Sequence, residues 1–310
     1  MHTGRWVTTW AIACLLSVLP AMVAAADEQS AAIDAVLLRD PPRDAEHPAS
    51  VVELTIPSHG RRLPGHIYLA AGAGPHPTVI LLHGLPGNER NLDIAQALRR
   101  FGFNTLYFHY RGAWGAEGDY RFSHLPEDAL AVLEYLREPE RARELRVDTS
   151  ALSLLGHSLG GFTALAAGAR DDDLRCVIAL SPANLAPWKA GMEDADSAGA
   201  RELAAYADQL FMLNGLSGQR LREELAYIDI ARLDTTAFAA GLRNKAVLIM
   251  VGEGDRVTPA ASMFDPVVAA YAEAGGMDLT ARKIPGDHSF SETRLRLTRE
   301  ILAWSDSHCR

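Results

Sequence analysis

The sequence predicts an α/β fold with a doubly wound, mainly parallel sheet of eight strands. Short apolar runs suited to buried strands recur along the chain, and helix-prone segments separate most of them. This alternation is typical of parallel sheets covered by helices on both faces. The chain has 310 residues, enough for one large core. Ligands of such sheets bind at the carboxyl ends of the strands, so functional residues are expected in the loops there.

The predicted strands begin with an antiparallel pair, Val51–Ile56 and Leu63–Leu69, joined by a turn at Ser58-His59-Gly60. Parallel strands should follow. They are expected at residues 78–82, 103–108, 151–155, 176–180, 246–251 and 279–284.

The N-terminal segment 1–26 has the pattern of a secretory signal peptide. Basic residues near the start precede an apolar centre, and Ala24-Ala25-Ala26 forms a small-residue cleavage site. We expect cleavage there and export to the periplasm or the medium, with a lipid anchor on Cys14 as the alternative. Residues 27–50 are interpreted as a polar leader, and we expect no transmembrane segment in the remainder.

The motif Gly156-His157-Ser158-Leu159-Gly160 predicts a nucleophile. An apolar strand precedes it, and the Ala-rich, helix-prone segment 162–167 follows. A serine between small residues at a strand-to-helix junction sits on a tight, strained turn that exposes its hydroxyl. The alternative is an ordinary serine in a βα turn.

A serine hydroxyl needs a general base, and the base needs an orienting acid. Asp255 follows the apolar run 246–251, and His288 follows the strand 279–284. The order Ser158, Asp255, His288 fits a catalytic triad, each residue lying just past a strand. Asp255 could instead cap a helix, leaving Glu253 or Asp287 as the acid, and His288 could be a surface histidine.

These motifs resemble the α/β-hydrolase superfamily over about residues 51–305. The spacing is similar to that of prolyl-oligopeptidase-like and serine-aminopeptidase-like hydrolase domains. The matching pieces are His83-Gly84-Leu85-Pro86-Gly87-Asn88, Tyr110-Arg111-Gly112, Gly156 to Gly161 and Gly252-Glu253-Gly254-Asp255. The chain has no room for the extra propeller of some such peptidases, so the resemblance supports the chemistry better than a peptide substrate.

The resemblance also implies the organisation of the remaining chain. The core would comprise residues 51–182 and 246–306, interrupted by a helical cap at 183–245 with helices near 200–213 and 219–228. In this superfamily an insertion after the sixth strand lies over the active site. The alternative is a surface elaboration that supports a dimer.

The oxyanion donors are expected to be two backbone N–H groups. Leu159 follows the nucleophile directly, and the resemblance places the second donor at Leu85. Trp114 is a possible pocket wall; alternatively its loop is structural, with Arg111 paired to an acid such as Asp128. We interpret His83 as a packing residue.

The composition indicates which classes of binding partner are disfavoured. The formal net charge of −9 argues against nucleic acid or an anionic membrane surface. No metal-ligand spacing occurs, so we expect neither a metal nor a cofactor. Cys176 reads as a buried strand residue and Cys309 as part of a mobile tail; spacing alone leaves their pairing open.

The sequence therefore predicts an exported serine hydrolase that cleaves carboxylic esters through an acyl-enzyme. Its partner would be a small ester or a short peptide. The alternatives are an aminopeptidase or dipeptidyl-peptidase-like enzyme and, outside the enzymes, a catalytically dead binding protein on the same fold.

Overall fold

The computed structural model describes residues 28–192, 194 and 196–310, so the predicted signal peptide at 1–26 lies outside the described residues. Its centre is one eight-stranded sheet with the strand order β1-β2-β4-β3-β5-β6-β7-β8. The strands are β1 Ser50–Ser58, β2 Arg61–Leu69, β3 His76–Leu82, β4 Asn104–Phe108, β5 Val147–His157, β6 Cys176–Leu180, β7 Ala246–Gly252 and β8 Asp278–Ile284.

This sheet confirms the predicted fold class. β1 and β2 pair antiparallel, β2 meets β4 antiparallel, and every later pair is parallel. β3 lies between β4 and β5, although β4 follows β3 in the chain. The winding direction therefore reverses at β3, and the loop after β3 emerges beside the end of β5.

The helices include one at residues 28–38, within the segment interpreted as a polar leader. They are α1 (28–38), α2 Leu92–Arg100, α3 His124–Arg137, α4 Pro139–Glu144, α5 Leu159–Gly168, α6 Ala186–Met192, α7 Ala198–Asp208, α8 Gly218–Tyr227, α9 Asp265–Ala274 and α10 Arg294–His308. Short 3₁₀ segments span Ile230–Arg232 and Thr235–Leu242, and a π-helical turn spans Ala260–Phe264.

Two apolar clusters cover the two faces of the sheet. Successive residues of β3 alternate between them, with Val79 in the cluster that includes α2 and α10 and Ile80 in the cluster that includes α3 and α5. This is the alternation expected of a strand buried on both faces.

Both ends of the described chain pack more tightly than the sequence suggested. In α1, Ile33 is buried in the same cluster as Leu297 and Ile301 of α10, so the leader is not simply polar. Cys309 is fully buried and forms a disulfide with Cys176, with their Cα atoms 5.7 Å apart. The expectation of a mobile tail at Cys309 was wrong, because this bond fastens the end of α10 to β6.

The segment 183–245 contains the expected helices, but the first ends earlier than predicted. α7 stops at Asp208 instead of 213 because the chain turns there to pair with the loop after β4. Trp114 N–H donates to Met212 O at 2.9 Å and Asn214 N–H donates to Gly112 O at 2.7 Å. Across the described residues, no helix combines the length and apolar character needed to cross a membrane.

Candidate active site

Ser158 occupies a strained turn between β5 and α5. Its φ of 58° and ψ of −120° are costly for a residue with a side chain, and the surrounding backbone holds them. Ser158 N–H donates to Leu180 O at 2.9 Å. The flanking glycines are required, since a Cβ on Gly156 would lie 1.9 Å from Gly160 O and one on Gly160 would lie 1.9 Å from Leu82 O. The structure thus contains the sharp elbow that the motif predicted.

Asp255 and His288 are hydrogen-bonded across the loops that follow β7 and β8. The imidazole Nδ1 and Asp255 Oδ2 are 2.8 Å apart. Oδ2 also accepts from Thr258 Oγ1 at 2.7 Å, and Oδ1 accepts from the backbone N–H groups of Val257 and Thr258 at 2.8 and 2.9 Å. Each oxygen of this carboxylate therefore accepts two hydrogen bonds, and the side chain is 0% exposed.

These contacts determine the charge of Asp255. Burial alone raises the pKa of its carboxyl, but the hydrogen bonds from His288 and Thr258 outweigh burial and hold that pKa well below its usual range. An ionised carboxylate can only accept, so His288 carries its proton on Nδ1. Its Nε2 then presents a lone pair that can accept a proton.

The two alternative acids lie elsewhere. Glu253 is exposed, and so is Asp287. The Asp287 carboxylate accepts from Ser289 N–H at 3.1 Å and from Ser291 N–H and Oγ, both at 2.8 Å. Asp255 is therefore the carboxylate that the structure brings to His288.

Ser158 and His288 line the same cavity, which has a volume of about 170 Å³. Within the described part of the chain no hydrogen bond joins the Ser158 hydroxyl to His288, and such bonds often tighten only with substrate in place. The remaining walls come mainly from the loop after β3. The lining is Gly84, Leu85, Pro86, Gly87, Asn88, Glu89, His157, Ser158, His288 and Ser289.

The two predicted oxyanion donors lie on different segments, Leu159 directly after the nucleophile and Leu85 on the loop after β3. Leu159 begins α5, where backbone N–H groups lack partners in the helix and the helix dipole favours negative charge. Leu85 lines the cavity from the loop after β3. Neither backbone N–H donates a hydrogen bond to any residue that the structure describes. Both are thus free for a developing oxyanion.

Trp114, the predicted pocket wall, is not part of this lining. Its indole Nε1–H donates to Pro86 O at 2.7 Å, so the side chain braces the loop that carries Leu85. Arg111 Nε pairs with Asp128 Oδ1 at 2.6 Å, as the alternative interpretation of this loop expected. His83 is buried, as expected, and burial lowers its pKa to about 4.

Sequence reasoning missed two residues of the cavity. His157 Nε2–H donates to His288 O at 2.8 Å, and the two imidazole centroids are 4.7 Å apart. Burial lowers the pKa of His157 to about 4, so this donor is neutral at neutral pH. The second is Glu89, half-buried, with one carboxylate oxygen 2.7 Å from Asn91 N. Its position beside the motif Gly84 to Gly87 was the one available signal.

Within the described ranges, no group of three or more His, Cys, Asp or Glu side chains could hold a metal ion. The groups that the structure brings to this site are a strained serine, a buried aspartate bonded to His288, and two free N–H groups. Together they can perform acyl transfer.

Comparison with known proteins adds a family match. The family model Hydrolase_4, described as serine aminopeptidase S33, matches residues 73–267. Esterase EstD of Thermotoga maritima is 31% identical over 163 residues, which is 49% of this chain and 37% of that protein. The chain spans little more than a third of the length of the first curated relatives that it matches.

Solved structures share the fold at low identity. A 2,6-dihydroxy-pseudo-oxynicotine hydrolase matches with a TM-score of 0.60 and 22% identity, covering 84% of this chain and 68% of that one. An acylaminoacyl peptidase of Pyrococcus horikoshii matches with a TM-score of 0.62 and 14% identity, covering 85% and 42%. At these identities the likeness establishes the fold alone.

Proposed function

Because the chain belongs to the serine aminopeptidase S33 family of α/β-hydrolases, we propose that it is a serine hydrolase that cleaves carboxylic esters. The family match confirms the resemblance that the motifs indicated. Proteins similar to this chain include an esterase and a peptidase, so the choice of substrate must come from the site.

One observation carries the proposal. The buried Asp255 carboxylate holds His288 through Nδ1, and His288 lines the same small cavity as Ser158. Three hydrogen bonds from Val257 and Thr258 fix the carboxylate in its turn, and the fourth joins it to His288. The arrangement is that of a nucleophile, its base and the group that orients the base.

In the proposed reaction, Ser158 Oγ attacks the ester carbonyl while its proton passes to His288 Nε2. The backbone N–H groups of Leu85 and Leu159 stabilise the negative oxygen of the tetrahedral intermediate. The C–O bond to the alcohol then breaks, and His288 gives its proton to the leaving oxygen. Water attacks the acyl-enzyme by the same route and releases the acid.

An ester is favoured over a peptide because of what lines the cavity. A peptidase needs a group to hold the charged amine of its substrate, and Glu89 is the one acid in the lining. One of its oxygens accepts from Asn91 N–H. Ester cleavage also demands less protonation of the leaving group than amide cleavage, so it needs fewer additional groups.

The second candidate is an aminopeptidase, and two observations favour it. The matching family is described by that activity, and Glu89 has a carboxylate oxygen available for a substrate amine. In that case binding energy from the amine would be required for turnover.

A substrate panel distinguishes the two activities. We expect kcat/KM on short-chain p-nitrophenyl esters to exceed that on aminoacyl or dipeptidyl p-nitroanilides by at least about tenfold. Glu89→Gln should then leave ester turnover nearly unchanged. If a free-amine anilide is the better substrate, and either N-acetylation or Glu89→Gln abolishes its turnover, the aminopeptidase is correct and the esterase is not.

Export is also part of the proposal. It is supported by the Cys176–Cys309 disulfide, since such bonds persist in oxidising compartments, and by the signal-like sequence at 1–26. The intact mass of the exported fraction should show loss of roughly 26 residues. Retention of Met1, or a lipid-modified Cys14 at the new N-terminus, would contradict it.

A further inference from the structure

A second cavity, of about 380 Å³, lies between α3, α5 and the segment 228–238. Its volume falls within the range of small-molecule binding sites. It shares no lining residue with the catalytic cavity. The lining is Phe122, Ser123, Pro126, Phe162, Ala166, Ala169, Arg170, Ile228, Ala231, Arg232, Leu233 and Phe238.

The walls of this cavity are apolar. Phe162 and Ala166 lie one turn apart on α5, and Ala169, the helical C-cap residue directly after it, continues the same face. The two alanines leave room opposite Phe238, whose ring centroid is 5.8 Å from that of Phe162. Phe238 and Ile228 are only half-buried. An apolar occupant would remove their remaining surface from water, which is favourable.

Two cations line the same cavity, Arg170 and Arg232. Both are exposed, and neither forms an ion pair with any residue in the described part of the chain. The lining contains no acid. In a chain whose formal net charge is −9, a lining with two cations and no acid is suited to an anion.

Three acids follow Arg170 in the chain: Asp171 pairs with Arg137 at 2.6 Å, and Asp172 and Asp173 are exposed. Neither exposed acid lines the cavity or forms an ion pair with Arg170.

Other nearby acids already accept hydrogen bonds. Asp229 accepts from Ala231 N–H at 3.0 Å, and Asp234 accepts from Asn184 Nδ2 at 2.9 Å. Glu224 accepts from Ser123 N–H and Oγ at 2.9 and 2.7 Å. None of these carboxylates lies within 4.0 Å of either guanidinium group.

We propose that this cavity binds a straight-chain carboxylic acid, with its tail against α5 and Phe238 and its carboxylate between Arg170 and Arg232. Guanidinium groups recognise carboxylates through paired hydrogen bonds, and burial of the tail contributes for each methylene removed from water. A small inorganic anion would leave the apolar side chains of the walls in contact with water. A neutral chain would leave the two cations without a partner.

Calorimetric titration of the full chain with decanoate, below its micellar concentration, tests the proposal. We expect saturable binding of one decanoate, at least about tenfold weaker in the double variant Arg170→Gln/Arg232→Gln. Arg296→Gln, an exposed arginine of α10, is the matched control and should change nothing. Decanol, which has the same tail without charge, should bind at least about tenfold more weakly than decanoate.

A second variant tests the tail site without changing charge. Ala169→Leu adds bulk to the cavity wall directly after α5 and should abolish decanoate binding. Ester hydrolysis at the separate catalytic cavity should continue at the wild-type rate. The proposal is overturned if the wild-type chain shows no saturable binding, if decanol binds as tightly as decanoate, or if the double arginine variant binds decanoate normally.

Discussion

The loop that carries Asp255 holds His288, and the loop that carries Leu85 lines the catalytic cavity, but the two loops are held in different ways. Asp255 is fixed by its own turn, since Val257 and Thr258 donate backbone N–H bonds to Oδ1 within three residues. The Leu85 loop is fixed from a distance. Trp114 Nε1 donates to Pro86 O, and Tyr110 OH donates to His83 O at 3.3 Å.

This difference separates two kinds of pre-organisation. We call the loop with Asp255, together with His288, the acid side, and the loop with Leu85 the oxyanion side. The position of Asp255 is set by its own turn, so the geometry of the acid side depends on local sequence. The oxyanion side depends on the loop after β4, whose own backbone is held by the insertion through Trp114 N–H and Met212 O. Substitutions on the acid side should therefore affect the chemistry directly, whereas substitutions around Trp114 should act through the position of Leu85.

The largest effect is expected on the acid side. Asp255→Asn keeps the size of the side chain but favours the wrong imidazole tautomer, and should lower kcat by roughly 10³–10⁴ on a p-nitrophenyl ester. Glu253→Gln, two residues away and exposed, is the control and should cost less than about threefold. The reverse ranking would show that the wrong carboxylate has been chosen.

A smaller effect is expected on the oxyanion side. Trp114→Phe keeps an aromatic ring but removes the donor to Pro86 O, and should lower kcat about tenfold with little change in KM. Complete loss of an oxyanion donor costs about 10²–10³, and this variant only loosens one. Trp304→Phe removes a similar bond, from Nε1 to Thr280 Oγ1 at 3.0 Å on the distant α10, and should leave kcat unchanged. Equal losses in both variants would rule out a positioning role for Trp114.

The smallest effect concerns the pH dependence of stability. Burial lowers the pKa of His83, on the oxyanion side, and of His157, beside His288, from 6.5 to about 4. Between these values the unfolded chain binds more protons than the folded one. Their stabilising contribution is therefore complete above about pH 6.5 and is lost as the pH falls towards 4.

We expect the free energy of unfolding to fall over that window by up to about 1.4 kcal/mol per pH unit for each histidine. His157→Gln cannot titrate there and should reduce the slope by about one proton, as measured by urea unfolding at several pH values. An unchanged slope would mean that His157 is not the buried neutral group described here.

The features that could be predicted from the sequence are those that depend on residues close together in the chain. All eight strands were predicted, the central parallel ones because each is a short apolar run, and Ser158, Asp255 and His288 were found because each lies just after a strand. Glycine positions such as Gly156 and Gly160 also carried information, since only a residue without Cβ fits against Leu82 and the backbone of the elbow.

The parts that sequence reasoning missed depend on contacts between distant segments. No pattern relates Trp114 to Pro86, or His157 Nε2 to the carbonyl of His288. The spacing of Cys176 and Cys309, 133 residues apart, could not decide whether they pair. Helix α1 was overlooked because residues 27–50 were interpreted as a polar leader, whereas Ile33 buries against α10 at the other end of the chain.

Labelling of Ser158 tests the central claim most directly. A fluorophosphonate should modify the full chain once, on the peptide that contains Ser158, and mass spectrometry should find no adduct on Ser158→Ala. The same variant should lose on the order of 10⁴ or more in ester turnover with little change in folding, since it removes a single hydroxyl. A wild-type chain that is never labelled would indicate a binding protein, and full labelling of Ser158→Ala would place the nucleophile elsewhere.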